Sequence, residues 1–219
     1  MKFIQTLFLI SITLLLFSQD LFSQHHDHDT KHPEDFWRLE AERLYWQLPN
    51  QTLQAVGIKS GMKVADVGAG KGYFTIRLAH KVGNGGMVYA SDIDSSGLNL
   101  INSFAAKEGL NNIITVHGKE DDPVLPDNSF DIILMVNVLH LIKNLSVFLD
   151  HLRSAMKTDG ILTIVQWDSE KMLKEMPDLS DEDVLLHAQE TTMKKIIDGG
   201  FRITKIDSFL PMQKIYICE

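Results

Sequence analysis

The sequence predicts an α/β fold in which helices cover both faces of a mainly parallel sheet. Three observations carry that expectation. Strand-like apolar runs at 63–68, 87–92, 113–117, 131–137 and 161–166 alternate with helix-like stretches at 73–82, 95–108 and 144–157. Alternation at this spacing builds crossover units whose strands are buried on both faces. The turn after the first strand has glycine at every second position, in Asp66-Val67-Gly68-Ala69-Gly70-Lys71-Gly72. The length of 219 residues, with 44% hydrophobic and 23% charged content, suits one domain with a sizeable core.

Residues 1–24 differ in kind from the rest. Lys2 supplies a small positive charge, the run from Phe3 to Phe17 is nearly all Leu, Ile and Phe, and Ser18-Gln19-Asp20 turns polar. That is the layout of a secretory signal peptide. As a helix the apolar run spans roughly 20–23 Å, short of a bilayer core of about 30 Å. The expectation is export, periplasmic or secreted, with a membrane anchor through this segment as the alternative. Neither Ser18 nor Ser23 has a small residue two positions earlier, so the usual cleavage pattern is poorly met.

Residues 25–33 read as a polar linker. The run His25-His26-Asp27-His28-Asp29-Thr30-Lys31-His32 has imidazoles suited to Cu, Ni or Zn. Nothing around it fixes a coordination geometry, so no metal site is expected. Cys218 is the only cysteine, which excludes an internal disulfide. A net charge of -8 without clustered Lys and Arg excludes a nucleic-acid partner.

The folded domain is expected over 34–219. Phe36, Leu39, Ala41, Leu44, Tyr45 and Leu48 recur at helical spacing. They predict an amphipathic helix over 33–48, lying across the mouth of the site and stopped by Pro49-Asn50. Leu53, Val56 and Ile58 predict a short second helix ending at Gly57 or Gly61. The alternating strands and helices follow, each crossover right-handed. After Trp167 the stretch 168–179 reads as irregular, and a helix is expected over 181–198, ended by Gly199-Gly200. Two strands, 201–208 and 212–217, flank the Pro211 turn, and a hairpin of this kind cannot be parallel. No repeat and no second domain is visible.

The glycine turn lets backbone N–H groups approach a ligand with no Cβ in the way, and it aims a helix N-terminus at that ligand. Asp92 ends the next strand, in Tyr89-Ala90-Ser91-Asp92-Ile93-Asp94. An acid about 20 residues after a glycine turn is suited to grip a ribose hydroxyl pair. A dinucleotide fingerprint needs Gly or Ala at position 73, where this chain has Tyr73. That disfavours a nicotinamide-dependent oxidoreductase.

The pattern Asp66-x-Gly68-x-Gly70-x-Gly72 resembles motif I of class I S-adenosylmethionine-dependent methyltransferases. The segment from Leu125 to His140, a turn and Phe130-Asp131 before an apolar strand, resembles small-molecule members such as the quinone-biosynthesis C-methylases. The resemblance implies a Rossmann-like seven-stranded sheet of order 3-2-1-4-5-7-6 with the last strand antiparallel. It implies S-adenosyl-L-methionine as cofactor, with Gly68, Gly70 and Gly72 under its methionine part. Asp66 would orient the loop and the cofactor's amino group, and Asp92 would take the ribose, with Asp94 the runner-up for that contact and the better suited of the two to cap the helix from Ser95. Glu120 and Asp121 are both candidates for the adenine, because Lys119 stands where the family has an acid. Asn137 and His140 follow the fourth strand on the rim facing cofactor and substrate. His140 is the candidate general base, Asp168 is weaker, and Asp131 is structural.

No Asn/Asp-Pro-Pro-aromatic tetrad follows the fourth strand, which speaks against amino-methylating nucleic-acid enzymes. The reading is a methyltransferase acting on a small molecule. The alternative is an exported domain that keeps the fold and serves as a binding module without catalysis.

Overall fold

The computed structural model describes residues 43–219. The signal-like segment, the histidine-rich run and most of the 33–48 stretch lie outside the described residues. The chain is helical over 43–46 and then runs α1 (Pro49–Val56), β1 (Lys63–Val67), α2 (Tyr73–Val82), β2 (Met87–Asp92), α3 (Ser95–Glu108), β3 (Ile113–His117) and β4 (Phe130–Val136). It continues through α4 (Leu145–Ala155), β5 (Met156–Trp167), α5 (Ser169–Glu175), α6 (Asp181–Leu186), α7 (Gln189–Asp198), β6 (Ile203–Asp207) and β7 (Gln213–Cys218).

The seven strands form one sheet of order β3-β2-β1-β4-β5-β7-β6. β1 pairs parallel with β2 and β4, while β7 runs antiparallel to β5 and β6. The seven-stranded order expected from the resemblance is therefore observed, antiparallel last strand included. The period of two along each strand sorts the core into two layers. Val64, Ile132, Leu134, Val165 and Ile215 pack under α1 and α2 through Leu53, Val56, Leu78 and Val82. Ala65, Ile133, Met135, Ile164 and Tyr216 face α4 and α7 through Phe148, Leu149, Leu152 and Ile196. Among the described residues no helix is long and apolar enough to cross a membrane.

Four elements depart from expectation. Pro49 starts α1 rather than stopping a helix: Leu48 turns left-handed (φ 41°) and Pro49 takes the first helical turn, where its missing N–H costs nothing. α4 ends at Ala155, two residues early, because Met156 pairs with Phe130. The next partners are Ile132 and Ile161, so β5 carries a bulge there, closed by a Lys157–Asp131 ion pair at 2.6 Å. The stretch read as irregular after Trp167 contains α5, whose first turn is capped by Asp168 accepting from the Glu170 N–H at 3.0 Å.

The fourth departure matters most for the site. The helix expected over 181–198 is two helices, broken at His187-Ala188. Ala188 is extended, and the His187 carbonyl accepts from the Ser169 N–H at 3.0 Å. That bond replaces a helical one and turns the His187 side chain into the interior, where it is buried.

Candidate functional site

Strand order reverses between β1 and β4, and a ligand in an open α/β sheet lies beyond the carboxyl ends of the strands at that point. The glycine turn sits there. Gly68, Gly70 and Gly72 have φ of 72°, 53° and 89°, a region that favours glycine. A Cβ on Gly68 would lie 2.1 Å from Val138 Cγ2, so the turn after β4 is pressed against the loop. A Cβ on Gly72 would meet Ile101 at 2.6 Å, which allows α3 to close in. A Cβ on Gly70 would meet nothing within 4 Å: beyond it is open space.

Asp92 ties this loop to β2. Its Oδ2 accepts from the Gly70 N–H at 2.7 Å and its Oδ1 from the Asp94 N–H at 2.8 Å. Asp94 caps α3, accepting from the N–H groups of Ser96 and Gly97, as expected of it. Those bonds, led by the Ser96 hydroxyl, hold its carboxyl below the usual range. Asp131, the expected structural acid, accepts from the Lys63 N–H at 2.8 Å.

Asp66 is buried at the end of β1 and accepts from Thr75 Oγ1 at 2.6 Å. Burial pushes its carboxyl up to about 6; the Thr75 bond opposes this and the nearby Asp92 charge adds to it. The unfolded chain loses this proton near the ordinary carboxylate value of 3.8, whereas the folded chain keeps it to about 6. Stability therefore falls as pH rises through that window and stays lower above it, by roughly 3 kcal/mol at ~1.4 kcal/mol per pKa unit. Asp66→Asn removes the charge and is expected to melt roughly 6–12 °C higher at neutral pH. The gain should vanish near pH 4, and thermal melts across pH 4–8 measure it. An unchanged melting profile would rule the account out.

The loop after β3 does not single out one acid. Glu120 and Asp121 are both exposed, and Glu120 faces Lys143 at 3.5 Å. The Gly118 N–H donates to the Asp92 carbonyl at 2.9 Å, which holds this loop against the end of β2.

Asn137 leaves β4 in the left-handed region (φ 58°), and its N–H donates to the Val165 carbonyl at 2.8 Å. Its Oδ1 accepts from Gln213 Nε2 at 2.7 Å. The Gln213 Oε1 in turn lies 3.4 Å from Gln47 Nε2. Beside them Gln166 Nε2 approaches His140 Nδ1 at 2.8 Å and His187 Nδ1 at 3.3 Å. Trp46 stacks on Trp167 with ring centroids 4.7 Å apart, which packs the 43–46 turn over the end of β5. Arg43 lies over the Tyr73 ring at 3.6 Å and Arg77 at 3.9 Å. Asp168 is not open to a ligand: it is buried and paired with Lys214 Nζ at 2.5 Å.

The structure thus brings Asp66, Gly68, Gly70, Gly72, Asp92, Asn137 and His140 to one edge of the sheet and leaves Glu120 and Asp121 on its exposed margin. Sequence reasoning missed Gln47, Gln166, His187 and Gln213. Only Gln166 left a trace in the sequence, as a polar residue near the end of a buried apolar strand.

A family model described as "Methyltransferase domain" matches residues 58–213. The ubiquinone/menaquinone biosynthesis C-methyltransferase UbiE of Shewanella sp. (strain W3-18-1) is 26% identical over 183 residues, with 72% of this chain and 72% of that protein covered. The crystal structure of a SAM-dependent methyltransferase from Aquifex aeolicus aligns with a TM-score of 0.73 and 26% identity, covering 85% of this chain and 97% of that one. A structure titled as a possible exported protein from Bordetella parapertussis shares the fold at TM-score 0.59 and 15% identity, covering 81% of this chain and 67% of that one.

Proposed function

Because the chain belongs to the methyltransferase-domain family and is an S-adenosylmethionine-dependent methyltransferase of small-molecule type, we propose how its own residues divide the work. The glycine turn and Asp92 hold the cofactor, and the rim after β4 and β5 receives the acceptor. The observation that carries this division is the open space beyond Gly70, directly beside the carboxylate that fixes the loop. When bound, the cofactor supplies an activated methyl group on a sulfonium centre.

Each protein group has a defined task. A carboxylate has about four acceptor positions, and Asp92 uses two on Gly70 and Asp94. The remaining two suit a ribose diol. Asp66 offers a buried acceptor for an ammonium group, and a positive charge beside it would offset its burial cost. Gly68 and Gly72 keep the turn close-packed against Val138 and Ile101. Asn137, held by Gln213, shapes the wall, and His140 faces the acceptor. Glu120 and Asp121, in the loop after β3, would be the acids to hold an adenine amino group. The protein's contribution to rate is to fix a nucleophile in line with the methyl group and to exclude water.

Calorimetry with S-adenosylhomocysteine tests the reading: micromolar binding is expected, and none of NADH. Absence of any nucleoside binding would favour a binding module that keeps the fold without catalysis. The signal-like segment 1–24 adds the proposal that the enzyme works outside the cytoplasm. A reporter fused to residues 1–30 should then be exported and shortened; a full-length cytoplasmic product refutes it.

A further inference from the structure

The turn between α2 and β2 carries chemistry that the cofactor site does not use. Asn84-Gly85 is the only Asn-Gly pair in the sequence, and both residues are exposed. They are the central residues of a four-residue turn closed by the Gly86 N–H, which donates to the Gly83 carbonyl at 3.0 Å. The closing donor is Gly86, so the Gly85 N–H stands outside that bond. Among the described residues neither the Asn84 carboxamide nor the Gly85 N–H makes a hydrogen bond. A carboxamide beside a free main-chain nitrogen is open to attack by it. The Gly85 nitrogen gives up its proton and bonds to Asn84 Cγ. The Cγ–Nδ2 bond breaks, ammonia leaves with that proton, and a five-membered succinimide closes. Water then opens the ring at either carbonyl. One opening leaves an aspartate at position 84. The other leaves an isoaspartate, whose main chain runs through Cγ and is longer by one carbon. Only water is consumed, and nothing is oxidised or reduced. Glycine after the asparagine favours closure, because it brings no Cβ and rotates freely.

Comparable pairs elsewhere in the chain are held. Asn128 precedes Ser129, whose N–H donates to the Ala155 carbonyl at 2.8 Å. Asn102 lies inside α3, and its Nδ2 donates to Thr115 Oγ1 at 3.1 Å. Asp198 pairs with Lys194 and precedes Gly199, whose N–H donates to the Lys195 carbonyl at 3.2 Å. Asp159 precedes Gly160, where a Cβ would lie 2.8 Å from the Phe130 carbonyl oxygen, so the main chain is pinned. In each of these the main chain or the side chain is fixed, whereas at Asn84 both are open.

We propose that Asn84 is a site of spontaneous covalent modification, converted by its own chain to aspartate and isoaspartate, and that the products loosen the junction of α2 and β2. The inference is independent of the methyltransferase reading above. The junction has little slack. The Gly61 N–H donates to the Val82 carbonyl at 2.8 Å and the Met87 N–H to the Met62 carbonyl at 3.0 Å, which fixes the turn at both ends. A Cβ on Gly86 would lie 2.5 Å from the Met62 carbonyl oxygen and 2.6 Å from Val82 Cβ, so the chain has no room to shift there. An added main-chain carbon strains these contacts. A new carboxylate also stands just past the C-terminus of α2, the end of a helix that favours cations. Asp92 lies at the far end of the six-residue β2, about 17 Å away along the strand, so the cofactor site is left as it was.

Peptide mapping with electron-transfer fragmentation, which tells isoaspartate from aspartate, tests this on full-length protein aged in mildly alkaline buffer. Conversion at position 84 is expected, faster at higher pH because the attacking nitrogen must lose its proton. Asp159 and Asp198 should stay as they are. The same protein in urea supplies the reference. Reaction in the native turn should run within ~10-fold of the urea rate, whereas reaction confined to unfolded chains would run at least ~1000-fold slower, in step with an unfolded fraction of about 10⁻³ or less. Gly85→Ala, whose methyl would touch only the Gly61 Cα at 3.8 Å, should fold normally and react at least ~10-fold more slowly, about 1.4 kcal/mol on the barrier. Asn84→Gln, which would need a six-membered ring, should not react on the same timescale. Aged wild type should melt roughly 2–4 °C below fresh protein, and aged Asn84→Gln should not. An Asn84 that stays intact in native protein but converts in urea overturns the proposal, as does a native rate untouched by Gly85→Ala. An unchanged melting temperature in converted protein overturns the loosening of the junction.

Discussion

Asp92→Ala is expected to weaken S-adenosylhomocysteine binding by on the order of 100-fold or more while leaving the fold intact. The carboxylate accepts from the N–H groups of Gly70 and Asp94, so it is already oriented before a ligand arrives. Two hydrogen bonds from a ribose to a charged acceptor contribute about 1.5–3 kcal/mol each. Their loss alone corresponds to roughly 100- to 10,000-fold at about 1.4 kcal/mol per decade. The substitution also frees the Gly70 N–H, so the turn itself loses a tether. Asp92 is only half-buried, and its removal strands no buried charge, so circular dichroism and melting should change little. Asp92→Asn should recover a small part of the affinity, because an amide keeps one acceptor and sets a donor against a backbone N–H. Wild-type affinity in the alanine variant would place the nucleoside elsewhere.

The largest effect on stability is expected of Lys214→Met. Lys214 and Asp168 pair at 2.5 Å, with side chains only 9% and 1% exposed. Removing the ammonium leaves a buried carboxylate without its paired counter-charge, with only the more distant Lys171 to offset it, a cost of about 3–5 kcal/mol. For a chain of this size that is a fall in melting temperature of roughly 6–20 °C. The Asp168→Asn/Lys214→Met pair should recover most of it, because the stranded charge is gone and an Asn still caps α5. Urea unfolding of the two single variants and the double variant reads the coupling. Additive effects would show that the pair is not coupled. The location explains the size: Lys214 lies opposite Gln166 in the β5–β7 register. Asp168 starts α5, and Lys171 on that helix donates to the carbonyls of Ser208 and Leu210, both at 2.6 Å. One broken pair therefore loosens β5, β7 and α5 together.

Strand positions were legible in the sequence where burial on both faces leaves little choice of residue. β1 is buried at four of its five positions and β4 is apolar but for Asp131, and the sequence pattern bounds both to within a residue. The glycine turn and Asp92 were legible for a different reason: backbone conformation and ligand shape both act locally there, within some 25 residues of chain. What was not legible depends on contacts between distant segments. The helical pattern runs unbroken through His187, and the break comes from Ser169, which pairs with its carbonyl. The start of β5 is set by the partner strand rather than by Lys157 to Gly160, which carry no apolar strand pattern. Gln166, His187 and Gln213 carry no motif because each is defined by its partner across the fold. Pro49 was misread because proline both ends one helix and starts another, and only the left-handed Leu48 decides which.

The placement of β7 has a consequence for biosynthesis. This strand follows every other in chain order yet lies inside the sheet, between β5 and β6. As the polypeptide leaves the ribosome, β5 must wait with an open, apolar edge until Gln213–Cys218 emerges. The Gln213 bond to Asn137 also forms only then, so the rim after β4 waits for β7. Nascent chains stalled before that point should aggregate or recruit chaperones, and chains released after it should not.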